Sequence, residues 1–231
     1  MRRVAVKMLM DEKPLDAIVM LAGDPPAGHA LRLLRELAAG GCLLVAADAG
    51  ADRLAAAGCT PHLIVGDGDS LRGRFPEVPR VDYPRRKDFT DGAAALALAL
   101  ERCGGRVWLL GALGGRPDHQ LANLLLALYC EQPERVWLAG GDWQGRYLTA
   151  GRHRLAGRAG DTVSLLPLTP VSGLSLSGFE YPLRQAEARP GDSRTVSNVL
   201  AAAEGEIELR SGCLLAIRII SGEECEEEER R

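Results

Sequence analysis

The chain has 231 residues, a formal net charge of −3 and 46% hydrophobic residues. That length supports one generous domain, or a domain with a smaller partner, around a core that needs no disulfide or metal staple. The acidic segment Glu223–Arg231 holds six Glu and two Arg, so the remainder is close to neutral and no nucleic-acid surface is expected. Asp11, Glu12, Lys13 and Asp16 interrupt the N-terminus before any apolar run long enough for a signal peptide, and no run approaches membrane-spanning length. Cys42, Cys59, Cys103, Cys130, Cys213 and Cys225 are scattered without CxxC or zinc-like spacing, which points to reduced thiols and a cytoplasmic location.

In chain order, Asp16–Leu21 reads as a first strand and Ala30–Ala39 as an amphipathic helix closed by Gly40-Gly41. Cys42–Ala47 is a second strand, Gly50–Ala57 a second helix, Leu63–Val65 a third strand and Arg80–Tyr83 a weaker fourth. Asp91–Arg102 reads as a helix capped by Thr90, followed by the strand Val107–Leu110. Pro117 fits the first turn of a helix running to about Cys130, and Arg135–Ala139 is a sixth strand. This alternation predicts an α/β, Rossmann-like three-layer domain with a mainly parallel sheet over 1–145. From Gly140 the texture changes to short Val-, Leu-, Ile- and Thr-rich segments between Gly, Pro and Ser. The expectation is a smaller antiparallel β-sandwich over 146–222, then an acidic disordered tail over 223–231.

The chemistry concentrates where strands end. Leu63-Ile64-Val65 stops abruptly at Gly66-Asp67-Gly68-Asp69-Ser70, placing two carboxylates at the carboxyl end of a strand, where open α/β sheets build their sites. Asp24, Asp48 and the run Arg85-Arg86-Lys87-Asp88-Phe89-Thr90-Asp91 follow other strands, as does Gly114-Gly115-Arg116-Pro117-Asp118-His119. A parallel sheet gathers these at one edge, whereas the connections at the opposite edge (Gly40-Gly41, Gly58–Thr60, Cys103–Arg106) lack acids. Crowded carboxylates call for a divalent cation such as Mg²⁺. Gly114-Gly115-Arg116 leads into a helix N-terminus suited to phosphate, and Arg85, Arg86 and Lys87 add positive charge. Acids for a metal beside donors for phosphate outline a nucleotide-dependent phosphoryl-transfer site, without the GxxxxGK[ST] of a P-loop enzyme or the GxGxxG of a dinucleotide oxidoreductase.

Four motifs in order, Asp48-Ala49-Gly50-Ala51-Asp52-Arg53-Leu54, Pro61–Ser70, Lys87–Asp91 and Gly114–His119 with Ala122-Asn123, resemble those of the thiamine pyrophosphokinase (thiamine diphosphokinase) family, bacterial type. Gly178–Leu183 and Val196-Ser197-Asn198 resemble its C-terminal signatures. The resemblance implies ATP-dependent transfer of a pyrophosphoryl group to thiamine, giving thiamine diphosphate and AMP with Mg²⁺, in a homodimer whose site lies at the subunit interface. It implies Asp67, Asp69 and Asp91 as metal ligands and catalytic groups, with Asp118 joining them near the phosphates; because it opens a helix at the crowded edge, Asp118 is also the candidate general base. Asp48, Lys87, Asp88, Arg116, His119 and Asn123 fall on the nucleotide side, and Tyr181, Ser197 and Asn198 on the thiamine side. Gly68 stands where the family commonly has Phe, and Ala49 where it has Gly.

The metal and ATP half is one that a pyrophosphokinase of another heterocyclic alcohol, such as a hydroxymethylpterin, could share, but Tyr181 and Ser197-Asn198 favour thiamine; retention of Asp67, Asp69, Asp91 and Asp118 together argues against a non-catalytic thiamine or nucleotide sensor. Trp108 and Trp137 read as core, Trp143 as an interface or domain-edge residue, and Leu121, Leu124, Leu125 and Leu128 as a core-facing helical stripe.

Overall fold

The computed structural model describes residues 15–220, so the tail expected over 223–231 lies outside the described residues. The described residues form two compact units, 15–126 with 138–141, and 127–137 with 142–220. No helix among the described residues is long and apolar enough to cross a membrane.

The first unit is built on strands β1 (Ala17–Met20), β2 (Leu43–Ala47), β3 (Leu63–Gly66), β4 (Arg80–Asp82) and β5 (Val107–Leu110), in the order β5-β1-β2-β3-β4. All four pairings are parallel. Every residue of β1, β2, β3 and β5 is buried, as expected of a parallel sheet covered on both faces. The helices are α1 (Gly28–Ala39), α2 (Gly50–Ala56), α3 (Asp91–Arg102) and α4 (Pro117–Leu125). Thr90 caps α3, its Oγ1 accepting from the Ala93 amide at 3.1 Å. Pro117 opens α4, where its missing N–H costs nothing. α4 is shorter than its sequence pattern predicts: the chain tightens into a 3₁₀ turn over Leu126–Tyr129. The leucine stripe is a correction, since Leu121 is 61% exposed and Leu125 38% exposed. Its spacing reported an apolar face without reporting what covers it.

The second unit contains β7 (Trp143–Leu148), β8 (Gly151–Ala156), β9 (Thr162–Pro167), β10 (Val171–Ser177), β11 (Leu183–Ala188), β12 (Asn198–Val199), β13 (Glu204–Leu209) and β14 (Leu214–Ile219). β6 (Val136–Ala139) precedes them. Within this unit the strands run β12-β9-β14-β7 in one antiparallel sheet and β11-β10-β13-β8 in the other. Leu148, Val163, Leu165, Leu214 and Ala216 from the first sheet meet Leu155, Leu174, Leu176, Ile207 and Leu209 from the second in a continuous apolar core. β8, Gly-Arg-His-Arg-Leu-Ala, has no strand signature in the sequence because it is an exposed edge. Arg152 faces Glu208, and Arg154 faces Glu206, across the β8–β13 pair. Trp137 is half-buried, with the Arg146 guanidinium carbon 5.3 Å from its ring centre. Trp143 opens β7.

Candidate active site

The carboxyl edge of the parallel sheet gathers acids because three neighbouring strands each hand over to a loop there. Asp48 leaves β2 with a left-handed φ of +43° and is 7% exposed. Its amide donates to the Val65 carbonyl at 3.0 Å, fastening it to the end of β3. Its Oδ1 accepts from the Gly68 amide at 2.9 Å. Gly66 must be glycine: its φ is +148°, and a Cβ there would come within 2.0 Å of Asp48 Oδ1. Asp67 Oδ1 in turn accepts from the Asp69 amide at 3.0 Å. The outcome is that carboxylate oxygens of Asp48, Asp67 and Asp69 all lie within 4.8 Å of one another.

Gly68, with φ +76°, needs the conformation that its sequence position left open, and its hydrogen bond to Asp48 fixes the turn. Where the family commonly has an aromatic, this chain thus relies on a hydrogen-bonded left-handed glycine. Asp52, on α2, holds the following segment by accepting from the Arg72 and Gly73 amides at 2.9 and 2.7 Å. Sequence reasoning gave Asp52 no role, although its place one turn after Asp48 put it at the same edge.

Basic residues from the loop after β4 offset this negative charge. Arg85 Nη2 pairs with Asp69 Oδ2 at 2.7 Å. Lys87 Nζ lies 3.0 Å from Asp91 Oδ1 and 3.9 Å from Asp67 Oδ2, with its side chain only 8% exposed. The edge-to-face contact of Tyr83 and Phe89, with ring centres 5.0 Å apart, braces the loop, whereas Asp88 is exposed. These pairs divide the carboxylates. Burial, reinforced by Asp91 and Asp67, raises the Asp48 pKa to about 6, and Arg85 lowers that of Asp69.

Asp118 is placed differently. Arg116 grips it through Nε to Oδ1 at 3.1 Å and Nη2 to Oδ2 at 2.6 Å, and the pKa of Asp118 falls to about 2, chiefly through that hydrogen bonding. A carboxylate held that low is a weak proton acceptor at neutral pH. His119 is exposed and its amide donates to Asp118 Oδ1, while Asn123 Nδ2 donates to the Ala112 carbonyl at 3.1 Å and ties α4 to the end of β5. The opposite edge does carry one acid, Asp16, which Arg106 neutralises through its amide at 2.8 Å and its guanidinium at 2.9 Å.

In the second unit, Tyr181 is 63% exposed. Asn198 is 3% exposed, and its amide is committed to main chain: Oδ1 accepts from Tyr181 N at 3.1 Å and Val199 N at 2.8 Å, and Nδ2 donates to Tyr181 O at 2.8 Å. Asn198 is thus a clamp on the Tyr181 segment. Ser197 is exposed, with φ +57° and its amide donating to Ser164 Oγ at 3.0 Å.

Comparison with known proteins accounts for both halves. Residues 34–138 match the family model described as thiamin pyrophosphokinase, catalytic domain, and residues 152–214 match the thiamin pyrophosphokinase vitamin B1 binding domain. The thiamine pyrophosphokinase of Bacillus subtilis (strain 168) is 30% identical over 186 residues, covering 76% of this chain and 86% of that protein. The crystal structure of thiamin pyrophosphokinase from Geobacillus thermodenitrificans superposes with a TM-score of 0.76 at 27% identity, covering 91% of this chain and 99% of that one. The Bacillus subtilis crystal structure superposes with a TM-score of 0.77 at 24% identity over 89% of this chain and 99% of that one, a likeness of fold. With both domain models matched in order and that curated relative covered over most of its length, the chain belongs to the thiamine pyrophosphokinase family.

Proposed function

We propose that this chain transfers a pyrophosphoryl group from ATP to the hydroxyethyl oxygen of thiamine, giving thiamine diphosphate and AMP. The observation that carries the reading is the cluster of Asp48, Asp67 and Asp69 at the carboxyl edge of the sheet, within a chain matching both family domains. The donor set fits a hard divalent cation: three carboxylate oxygens within 4.8 Å, one of them buried and reluctant to ionise without a counter-charge. Asp67, Asp69 and Asp91 would hold Mg²⁺, with Asp48 beside them. Bound there, the ion would supply neutralisation of phosphate charge during attack of the alcohol at the β-phosphorus.

Lys87 and Arg116 contact phosphates in this reading, with Asp88, His119 and Asn123 on the nucleotide side. Asp118 joins the phosphate side in this reading, and its pairing with Arg116, which makes it a poor base, gives it the task of aiming that guanidinium. Residues 1–145 form the nucleotide and metal domain, and 146–222 the thiamine domain. There the exposed Tyr181 ring suits stacking on a cationic heterocycle, Ser197 serves the aminopyrimidine, and Asn198 serves it through the Tyr181 segment that it clamps. A homodimer is supported by Leu121 and Leu125, apolar and exposed on α4. A cytoplasmic location is supported by five free cysteines among the described residues.

The test is parallel assay of purified protein with ATP and Mg²⁺ against thiamine and hydroxymethyldihydropterin. Thiamine diphosphate and AMP in equal amounts are expected. Turnover of the pterin alone overturns the choice of acceptor, and thiamine binding without AMP formation overturns the enzyme.

A further inference from the structure

The loop after β1 carries a carboxylate, Asp24, to which neither the acid cluster nor the basic side chains give a task. The chain passes from β1 outward through β2, β3 and β4, then returns to the other side of β1 as β5, with every pairing parallel. At such a switch point the loops at the carboxyl ends diverge around a crevice, the place where open α/β sheets take up ligands. Its walls are residues 22–24 after β1 and 111–116 after β5. The two loops are fastened to each other: the Gly23 amide donates to the Gly111 carbonyl at 3.1 Å, and the Asp24 amide to the Leu113 carbonyl at 2.7 Å. The Asp24 side chain fills the place of a side chain on Gly114, whose φ is +94°. A Cβ on Gly114 would come within 2.1 Å of Asp24 Oδ1.

Asp24 is exposed, and its carboxylate has no hydrogen-bond or ion-pair partner among the described residues. Asp67, Asp69, Asp91 and Asp118 are each paired with a basic side chain, and Asp48 accepts from the Gly68 amide. Phosphate does not suit Asp24, because the charges are alike. The helix that follows does not draw phosphate to this loop either, since the His29 and Ala30 amides already donate to the Gly141 and Gly140 carbonyls at 2.8 and 3.0 Å. A divalent cation is better served by the acids gathered within 4.8 Å of one another, a group that Asp24 does not join. A neutral ligand with O–H or N–H donors is what remains. An ionised carboxylate only accepts, through two oxygens, and a vicinal diol presents two O–H donors to it. An adenine edge fits less well, because its amino group lies beside ring nitrogens that are themselves acceptors.

We propose that Asp24 is a specificity-determining residue for the nucleotide and accepts from the ribose hydroxyls of ATP, an assignment that rests on the pyrophosphokinase reading. It gives the nucleotide a direction: the ribose lies beside the end of β1, and the triphosphate runs past β2 towards Asp67 and Asp69 after β3. Two interstrand spacings, about 10 Å, separate β1 from β3, a distance that a nucleoside triphosphate spans. Because main-chain hydrogen bonds fasten the Asp24 loop to the loop after β5, the acceptor is in place before the ligand arrives.

The test is calorimetric titration of the full chain, with Mg²⁺ and without thiamine, using ATP, 2′,3′-dideoxy-ATP and tripolyphosphate. The parent should bind the dideoxy nucleotide about ten-fold more weakly than ATP, the loss of hydrogen bonds to a charged acceptor. Asp24→Ala should bind ATP about ten-fold more weakly than the parent does and should no longer distinguish it from the dideoxy nucleotide. Asp24→Asn keeps one acceptor oxygen without the charge and should fall between, with thermal melting to verify that both variants fold. Tripolyphosphate affinity should not fall in either variant. The assignment is overturned if the parent does not discriminate between the two nucleotides, or if folded Asp24→Ala discriminates as the parent does. It is overturned as well if that variant loses tripolyphosphate affinity along with ATP affinity, which would put Asp24 at the phosphates. A parent that binds neither ATP nor tripolyphosphate would overturn the pyrophosphokinase reading and this assignment with it, whereas ATP binding with discrimination independent of Asp24 overturns the assignment alone.

Discussion

Asn198→Ala separates two readings of the thiamine-side signature. Its amide makes three bonds to main chain, at 3.1, 2.8 and 2.8 Å, in a residue only 3% exposed. Truncation leaves two N–H groups and one carbonyl without these partners. At about 1 kcal/mol net per bond the loss is about 3 kcal/mol, falling towards about 2 kcal/mol where water replaces the amide. With a urea slope of about 1–3 kcal/mol per molar, the midpoint of denaturation should fall by about 1 M or more with little change of slope. Because the clamp holds the segment that displays Tyr181, KM for thiamine should rise with it, while KM for ATP stays the same. Asn198→Asp keeps the acceptors but places a carboxylate against the Tyr181 carbonyl. Burial would raise its folded pKa above the unfolded value, so this variant should gain stability as pH falls through that folded value. A raised thiamine KM in Asn198→Ala with an unchanged urea midpoint would refute the clamp and return Asn198 to direct substrate contact.

Asp69→Asn should cut turnover at least about 100-fold while leaving the melting temperature within a degree or two, since the side chain is 44% exposed and supports no core packing; retained turnover would remove Asp69 from the ligand set. For Asp48, a folded pKa raised to about 6 means that its stabilising contribution is present below the ordinary carboxylate value and is lost as pH rises through about 6. Mg²⁺ requires the ionised form, so its affinity should weaken as pH falls below about 6, with proton release on binding at pH 6 measured by calorimetry in buffers of different ionisation enthalpy; equal proton release at pH 6 and pH 8 would contradict this. Gly66→Ala forces a Cβ to within 2.0 Å of Asp48 Oδ1 at a φ of +148°, and should lower stability by about 1–3 kcal/mol and Mg²⁺ affinity with it, read by denaturation and by metal titration. If its metal affinity matched the parent, Asp48 would not belong to the site.

The α/β unit was legible because its strands are continuous apolar runs that stop at Asp or Gly, a pattern surface turns do not imitate at one edge alone. Leu63–Val65 ended where β3 ends, within one residue, and Thr90 caps the helix its spacing indicated. The acid cluster was half legible: Asp67 and Asp69 share a turn, but Asp48 joins them only because β2 and β3 are neighbours. Pairing is a tertiary fact that no local pattern carries. The same holds for Asn198, whose residue type suits a turn as well as a clamp, and for β8, where exposed Arg–Glu pairs across an edge replace the alternation that marks a half-buried strand. The leucine stripe failed for a related reason, since apolar spacing reports a face and is silent on whether this chain or another surface covers it.

Charge neutralisation links these features. Three carboxylates held within 4.8 Å would each resist ionisation if left alone, yet burial and its acidic neighbours raise Asp48 while Arg85 lowers Asp69. The difference comes from the one short loop after β4, whose Arg85 and Lys87 reach back to Asp69, Asp67 and Asp91. A metal–nucleotide complex carries both signs of charge, a cation for the acids and phosphates for the basic side chains. Asp67, Asp69, Asp91, Arg85 and Lys87 therefore already hold partners of the charge they would meet in that complex, and on the proposed function its entry would exchange partners rather than add unbalanced charge. Asp48 is the exception: buried, fastened to Gly68 and without a basic partner at hydrogen-bonding distance among the described residues, it gains most from an arriving cation. That places the pH sensitivity of the site at Asp48 rather than at the exposed, arginine-bound Asp118.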